Sequence, residues 1–137
     1  MVAPVTRGTK REWAEEQRRL AGLCKQSDEI DWTVCGSLIS GLCRVGGVDV
    51  SFFPDGEHAV AAVVVLSFPQ LDLLYERCAT FKLDVPYVSS FLGFREVPAL
   101  KLLVDGVPVG LRPQVVLVDG NGVFHPRRCG TASHLGL

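Results

Sequence analysis

The 137 residues are 47% hydrophobic and 21% charged, enough apolar material for one core and too much for a disordered chain. Basic side chains number 14 and acidic ones 15, a formal charge of -1, so contact with nucleic acid has to rest on local basic groups rather than a global field. No apolar run reaches membrane-spanning length, no basic-then-apolar leader opens the chain, and five scattered cysteines fit a reducing intracellular compartment better than a disulfide framework.

Residues 1–42 read as a helical arm and a loop. Thr9 and Glu12 have capping-box spacing, and Trp13, Leu20, Ala21 and Cys24 recur at helical intervals. Lys10, Arg11, Arg18 and Arg19 lie between them, as a solvated face or as a basic arm for a nucleic-acid backbone. Gln26–Ser40 is polar and reads as loop. Residues 43–137 change texture. Arg44–Phe53 is a Val- and Phe-rich strand closed by the turn Pro54-Asp55-Gly56. His58–Phe68, nearly all apolar, suits a strand buried on both faces. Leu71–Leu83 alternates as a half-buried strand near an edge does, and the short connections predict an antiparallel meander. Ser89–Val104 switches to helical spacing, with Leu92, Glu96, Ala99, Leu100 and Leu103 on one face and Pro98 inside as a weak point. Gln114–Val118 is a short parallel-type strand ending in Asp119-Gly120-Asn121-Gly122, and Cys129–Leu137 starts a helix. The order predicts an α/β fold whose mixed sheet is an antiparallel three-strand meander, a crossover helix and a parallel fourth strand. The next strand of such a layer is not reached by Leu137.

Three carboxylates sit where burial makes them costly. Asp49 lies between two valines in a strand, Asp119 ends a strand where α/β sheets place ligands, and Glu96 is on the apolar face of its helix. If the first and fourth strands are neighbours, Asp49 and Asp119 are about 5 Å apart, close enough to share one Mg²⁺. Hard oxygen donors favour Mg²⁺, or Mn²⁺, over Zn²⁺, and carboxylate-held Mg²⁺ is apparatus for phosphodiester hydrolysis. The pattern leaves a second reading open, in which Asp119 starts an Asp-Gly turn and Asp49 is a satisfied polar residue. Cys129 and His134 have local zinc-like spacing, but no Cys-x-x-Cys accompanies them.

Seven segments now carry a resemblance. They are Arg44-Val-Gly-Gly-Val-Asp49-Val-Ser51, Val65-Leu-Ser-Phe-Pro69, Pro86-Tyr87-Val-Ser89, Phe94-Arg-Glu96-Val-Pro98, Leu117-Val-Asp119-Gly-Asn-Gly122, His125-Pro-Arg-Arg-Cys-Gly130 and Ser133-His-Leu-Gly136. In this order and spacing the chain resembles the endonuclease V family in its animal-type form. The resemblance implies a ribonuclease H-like fold and Mg²⁺-dependent cleavage one nucleotide 3′ of inosine, in single-stranded RNA or in deaminated DNA. It implies metal binding by Asp49, Glu96 and Asp119, and catalysis by these three together with His125, which matches a position near the scissile phosphate. It places Pro86 and Tyr87 as the wedge where a base leaves the stack. Ser90, Leu92, Gly120, Gly122 and Gly130 match the pocket for the flipped hypoxanthine, and Arg127 and Arg128 match phosphate contacts. Animal relatives imply cytoplasmic and nuclear or nucleolar residence, and no membrane role.

Two departures alter those expectations. The family has Gly where this chain has Ser90, so a side chain crowds the base pocket or forbids a positive φ. Val104-Asp-Gly-Val-Pro-Val-Gly-Leu-Arg-Pro113 replaces a longer charged helix end, which makes Asp105 a turn residue rather than a ligand. The family also continues beyond the position of Leu137 with further sheet and a last metal-binding Asp. The resemblance thus implies a truncated form of reduced stability and weak or absent catalysis, or a silent form that binds inosine-containing nucleic acid or the full-length protein.

Overall fold

The structure, a computed structural model, describes residues 4–27 and 29–137. Helix α1 (Arg7–Ala21) opens at Thr6, whose Oγ1 accepts a hydrogen bond from the Thr9 amide at 3.1 Å. The cap therefore lies three residues before the Thr9–Glu12 spacing expected from the sequence, and Thr9 belongs to the first turn. Arg11 pairs with Glu15 and Arg19 with Glu16 along the helix, so these two cations form a solvated face. The opposite side docks on the body. Trp13 stacks on Phe94 with ring centroids 5.0 Å apart, and Gln17 and Leu20 are buried.

The expected loop at Gln26–Ser40 contains a small hairpin instead, β1 (Thr33–Cys35) paired with β2 (Leu38–Ser40), with Gly36 at φ +60° in the turn. Its strands are three residues long and exposed throughout, so no burial alternation marks them in the sequence.

The main sheet is built from β3 (Arg44–Phe52), β4 (His58–Ser67), β5 (Leu73–Lys82) and β6 (Val115–Val118), in the order β5-β4-β3-β6. The first three form the antiparallel meander, with β5 at an edge, and β6 runs parallel to β3 from Val45 opposite Val115 to Val48 opposite Val118. Helix α2 (Leu92–Asp105) makes the crossover and covers one face. Val48, Ala61, Val63, Val65, Leu100, Leu103 and Val107 form the core between them.

The expectation that the second strand is buried on both faces is corrected. Ala59, Ala61, Val63 and Val65 of β4 are buried, whereas Val60, Ala62 and Val64 are half-buried. Among the described residues the helices cover only the face that the first set presents, and an unbroken apolar run carries no periodicity to reveal it. Pro98 sits within α2 on an exposed position and the helix continues to Asp105. Asp105 is the last helical residue, paired with Lys101 at 3.2 Å, rather than a turn residue. Helix α3 (Thr131–Leu135) packs beside α2 so closely that a Cβ on Gly93 would lie 2.7 Å from Nδ1 of His134. All five cysteines are unpaired thiols.

Candidate active site

Parallel pairing of β3 with β6 brings the first carboxylates together. Asp49 and Asp119 each lie one residue past the last registered pair, Val48 and Val118, and both line a cleft of about 500 Å³. Both are exposed, which corrects the expectation of costly burial. Asp49 points to the uncovered face of the sheet, and its Oδ1 accepts from the Val50 amide at 2.8 Å.

Glu96 alone of the three is buried, 7% exposed, on the inner side of α2. Burial pushes its carboxyl up to about 7; Arg95 pulls the other way, and the charges of Asp49 and Asp119 add to the rise. The helix thus delivers a third carboxylate into the field of the first two, and among the described residues no ion pair neutralises it. As they lie, no three His, Cys, Asp or Glu side chains among the described residues are gathered tightly enough to hold one ion.

A second cleft, of about 600 Å³, shares Asp119 with the first. One wall is the segment before α2 and the start of that helix, with Tyr87, Ser89, Ser90, Leu92 and Gly93. The other is the loop after β6 and the start of α3, with Gly120, Asn121, His125, Pro126, Gly130 and Thr131. The loop is folded by two glycines. Gly120 adopts φ +152°, and Gly130 lies so close to Asn121 that a Cβ would stand 1.9 Å from its carbonyl oxygen.

Four of the five expected pocket residues, Ser90, Leu92, Gly120 and Gly130, line this cleft. Gly122 does not. Its carbonyl instead closes the loop by accepting from the His125 and Gly130 amides, at 3.2 and 3.1 Å. Ser90 adopts φ +70° despite its side chain, so the conformation favoured by glycine is kept here by serine. Tyr87 is 66% exposed at the mouth, outside the core, and Pro86 beside it is half-buried in an adjoining recess that also contains Arg95.

Of three polar residues expected at the site, His125 and Arg127 turn inward and Arg128 stays exposed. His125 is buried, with Nε2 3.1 Å from the Ser90 carbonyl oxygen and Nδ1 accepting from the Arg127 amide at 3.1 Å. That bond at Nδ1 assigns the proton to Nε2, and burial and the Arg127 charge hold the ring below its usual pKa. With both nitrogens occupied, the ring braces the loop rather than standing free for proton transfer. Arg127 turns inward, donating to Gln17 Oε1 at 2.5 Å and to the Ser90 carbonyl at 2.8 Å, with its guanidinium 4.3 Å from the centre of the Phe91 ring. It is an internal strut and not a free phosphate contact. Arg128 remains exposed, bonded to Gln26 Oε1 at 3.2 Å.

The sequence reading missed Gln17, which lines the cleft from α1, and Asn121 and Thr131 in the far wall. The signal for Gln17 was a polar residue on the buried stripe of α1, between Trp13 and Leu20.

Comparison with known proteins agrees with this architecture. The family model for endonuclease V matches residues 31–137. Human endonuclease V is 50% identical over 129 residues, 91% of this chain and 45% of the human protein. The mouse protein is equally similar, with 38% of its length covered, so the chain spans less than half the length of these curated relatives. The crystal structure of the human catalytic domain superposes with a TM-score of 0.90 at 49% identity, covering 96% of this chain and 55% of that one. Ciona intestinalis endonuclease V, solved with a 23-mer DNA containing an inosine followed by a ribo-adenosine, gives 0.84 at 40% identity, covering 96% and 54%. With the family match across the whole four-stranded sheet and every lining residue of the two clefts except Gln17, the chain belongs to the endonuclease V family.

Proposed function

We propose that the two clefts form an inosine-directed, metal-dependent endonuclease site, acting one nucleotide 3′ of inosine in single-stranded RNA or deoxyinosine in DNA. The observation that carries this is Asp119, which belongs at once to the carboxylate group and to the wall of the pocket. A base held in the pocket has its backbone beside Asp49, Glu96 and Asp119. The Ciona relative bound to inosine-containing DNA supports the choice of base.

The donor set fits a hard divalent cation, Mg²⁺ or Mn²⁺, in charge and in chemistry. Asp49, Glu96 and Asp119 would hold it. Among the described residues Glu96 makes no ion pair, and a cation there would favour its ionised form. When bound, the ion supplies Lewis acidity and an acidified water for phosphodiester hydrolysis. The protein's own part is to orient the nucleic acid. Tyr87 stacks where the base has left, and the backbone of Ser90, Leu92 and Gly120 frames the base. Arg128, exposed beside the pocket loop, offers charge to a phosphate.

A second reading, binding without cleavage, is favoured by the spread of the three carboxylates as they lie. One experiment separates the two. A labelled single-stranded oligonucleotide with one inosine is incubated with the chain, with Mg²⁺ or with EDTA. A single Mg²⁺-dependent cut, lost in Asp49→Ala, is the expected result. Inosine-selective binding without a cut establishes the second reading, and neither binding nor cutting removes both.

A further inference from the structure

We infer that Gln17, on the N-terminal helix and outside the residues matched by the family model, is a positioning residue that sets the width of the base pocket. The inference rests on the reading of that cleft as a base pocket. Gln17 is 1% exposed, and its amide is fully used. Nε2 donates to the Ser90 carbonyl at 3.0 Å and to the Cys129 carbonyl at 3.1 Å, while Oε1 accepts from Arg127 Nε. Those two carbonyls belong to opposite walls, the segment before α2 and the loop after β6. One side chain from a third element therefore ties the walls together from below.

Simple anchoring of α1 would not need an amide. Trp13 and Leu20 already supply apolar contact, and a buried polar group costs free energy unless every donor and acceptor is met. The Ser90 end of the tie shows what the bonds hold. Ser90 sits at φ +70°, and its carbonyl takes donors from Gln17, His125 and Arg127 together. A residue in a sparsely populated conformation persists when its surroundings over-determine it. His125 and Arg127 reach that carbonyl from the far wall itself, and Gln17 is the member that holds both walls from a third element, α1.

The test uses the full chain and short fluorescein-labelled single-stranded RNAs that differ in one position, inosine or adenosine. Gln17→Met keeps the volume and removes all three bonds. Gln17→Glu keeps an acceptor for Arg127 and removes both donors. Each variant is expected to lower the inosine-to-adenosine affinity ratio by roughly tenfold, the weight of one to two hydrogen bonds, with adenosine-RNA affinity unchanged. A role confined to folding would weaken both RNAs alike. Full retention of the ratio in Gln17→Met overturns the inference. If Gln17→Met does not melt cooperatively, Gln17→Glu is judged by the same two results. If the unaltered chain shows no inosine preference, it is the proposed function that fails. Amide exchange in the free chain then decides the tie. Faster exchange in segments 88–92 and 128–132 together supports it, and unchanged exchange overturns it.

Discussion

The Nε2 atom of His125 lies 3.1 Å from the carbonyl oxygen of Ser90, joining the loop after the fourth sheet strand to the segment that leads into the crossover helix. The bond has a direction, because the Arg127 amide donates to the other ring nitrogen. His125, which the family resemblance places among the catalytic residues, braces these two segments in this structure. It also helps to explain how Ser90 is held at a backbone conformation that glycine adopts more readily.

Ser90→Gly is accordingly expected to raise stability by about 1 kcal/mol, since relief of a left-handed side-chain residue outweighs the added chain entropy. Urea unfolding measures it. A lower midpoint for the glycine variant would mean that the Ser90 side chain contributes more than its backbone costs.

Glu96 predicts a pH dependence. Its folded pKa, about 7, lies above the ordinary carboxylate value, so the unfolded chain releases this proton first as pH rises. The contribution of Glu96 to stability therefore falls between about pH 4.5 and pH 7 and is nearly level above that. Glu96→Gln removes the cost of ionising a buried carboxyl. Its stability gain over the parent is expected to be about 1 kcal/mol or less at pH 5 and about 3 kcal/mol at pH 8, read from denaturant midpoints. An equal gain at both pH values contradicts this.

The close approach in the pocket loop predicts a contrast between two glycines. Gly130→Ala places a Cβ on the Asn121 carbonyl and is expected to cost about 3 kcal/mol or more, because backbone rather than a flexible side chain must move. Gly47→Ala, in β3, meets nothing within 4 Å and is expected to be neutral or slightly stabilising. Thermal melts of the two variants side by side test the pair. Equal effects would show that the loop yields easily.

Tyr87→Ala is expected to leave stability within about 0.5 kcal/mol, because the ring is exposed at the mouth of the cleft. Its affinity for inosine-containing oligonucleotide should fall about tenfold or more, the weight of one lost stacking contact. Anisotropy titration at fixed salt measures this, and unchanged affinity removes Tyr87 from the interface.

Much of this protein was determined by the sequence itself. The Val-rich runs, the turns at Pro54-Asp55-Gly56 and Pro69-Gln70, and the helical spacing around Glu96 are local signals, because strand and helix periods are written in consecutive residues. They specify the meander, the crossover helix and a parallel strand; the pairing of that strand with β3, which sets Asp119 beside Asp49, was settled by the tertiary structure. The tertiary structure decided what depends on residues far apart in the chain. It buried Glu96 while leaving Asp49 and Asp119 exposed, because among the described residues the helices cover only one face of the sheet. It turned Arg127 and His125 inward, where the Ser90 carbonyl, 37 and 35 residues away, offered an acceptor. It drew Gln17 across 73 residues to that same oxygen. A hydrogen-bond donor carries no sequence mark of its partner, so the braces of the site are set by packing.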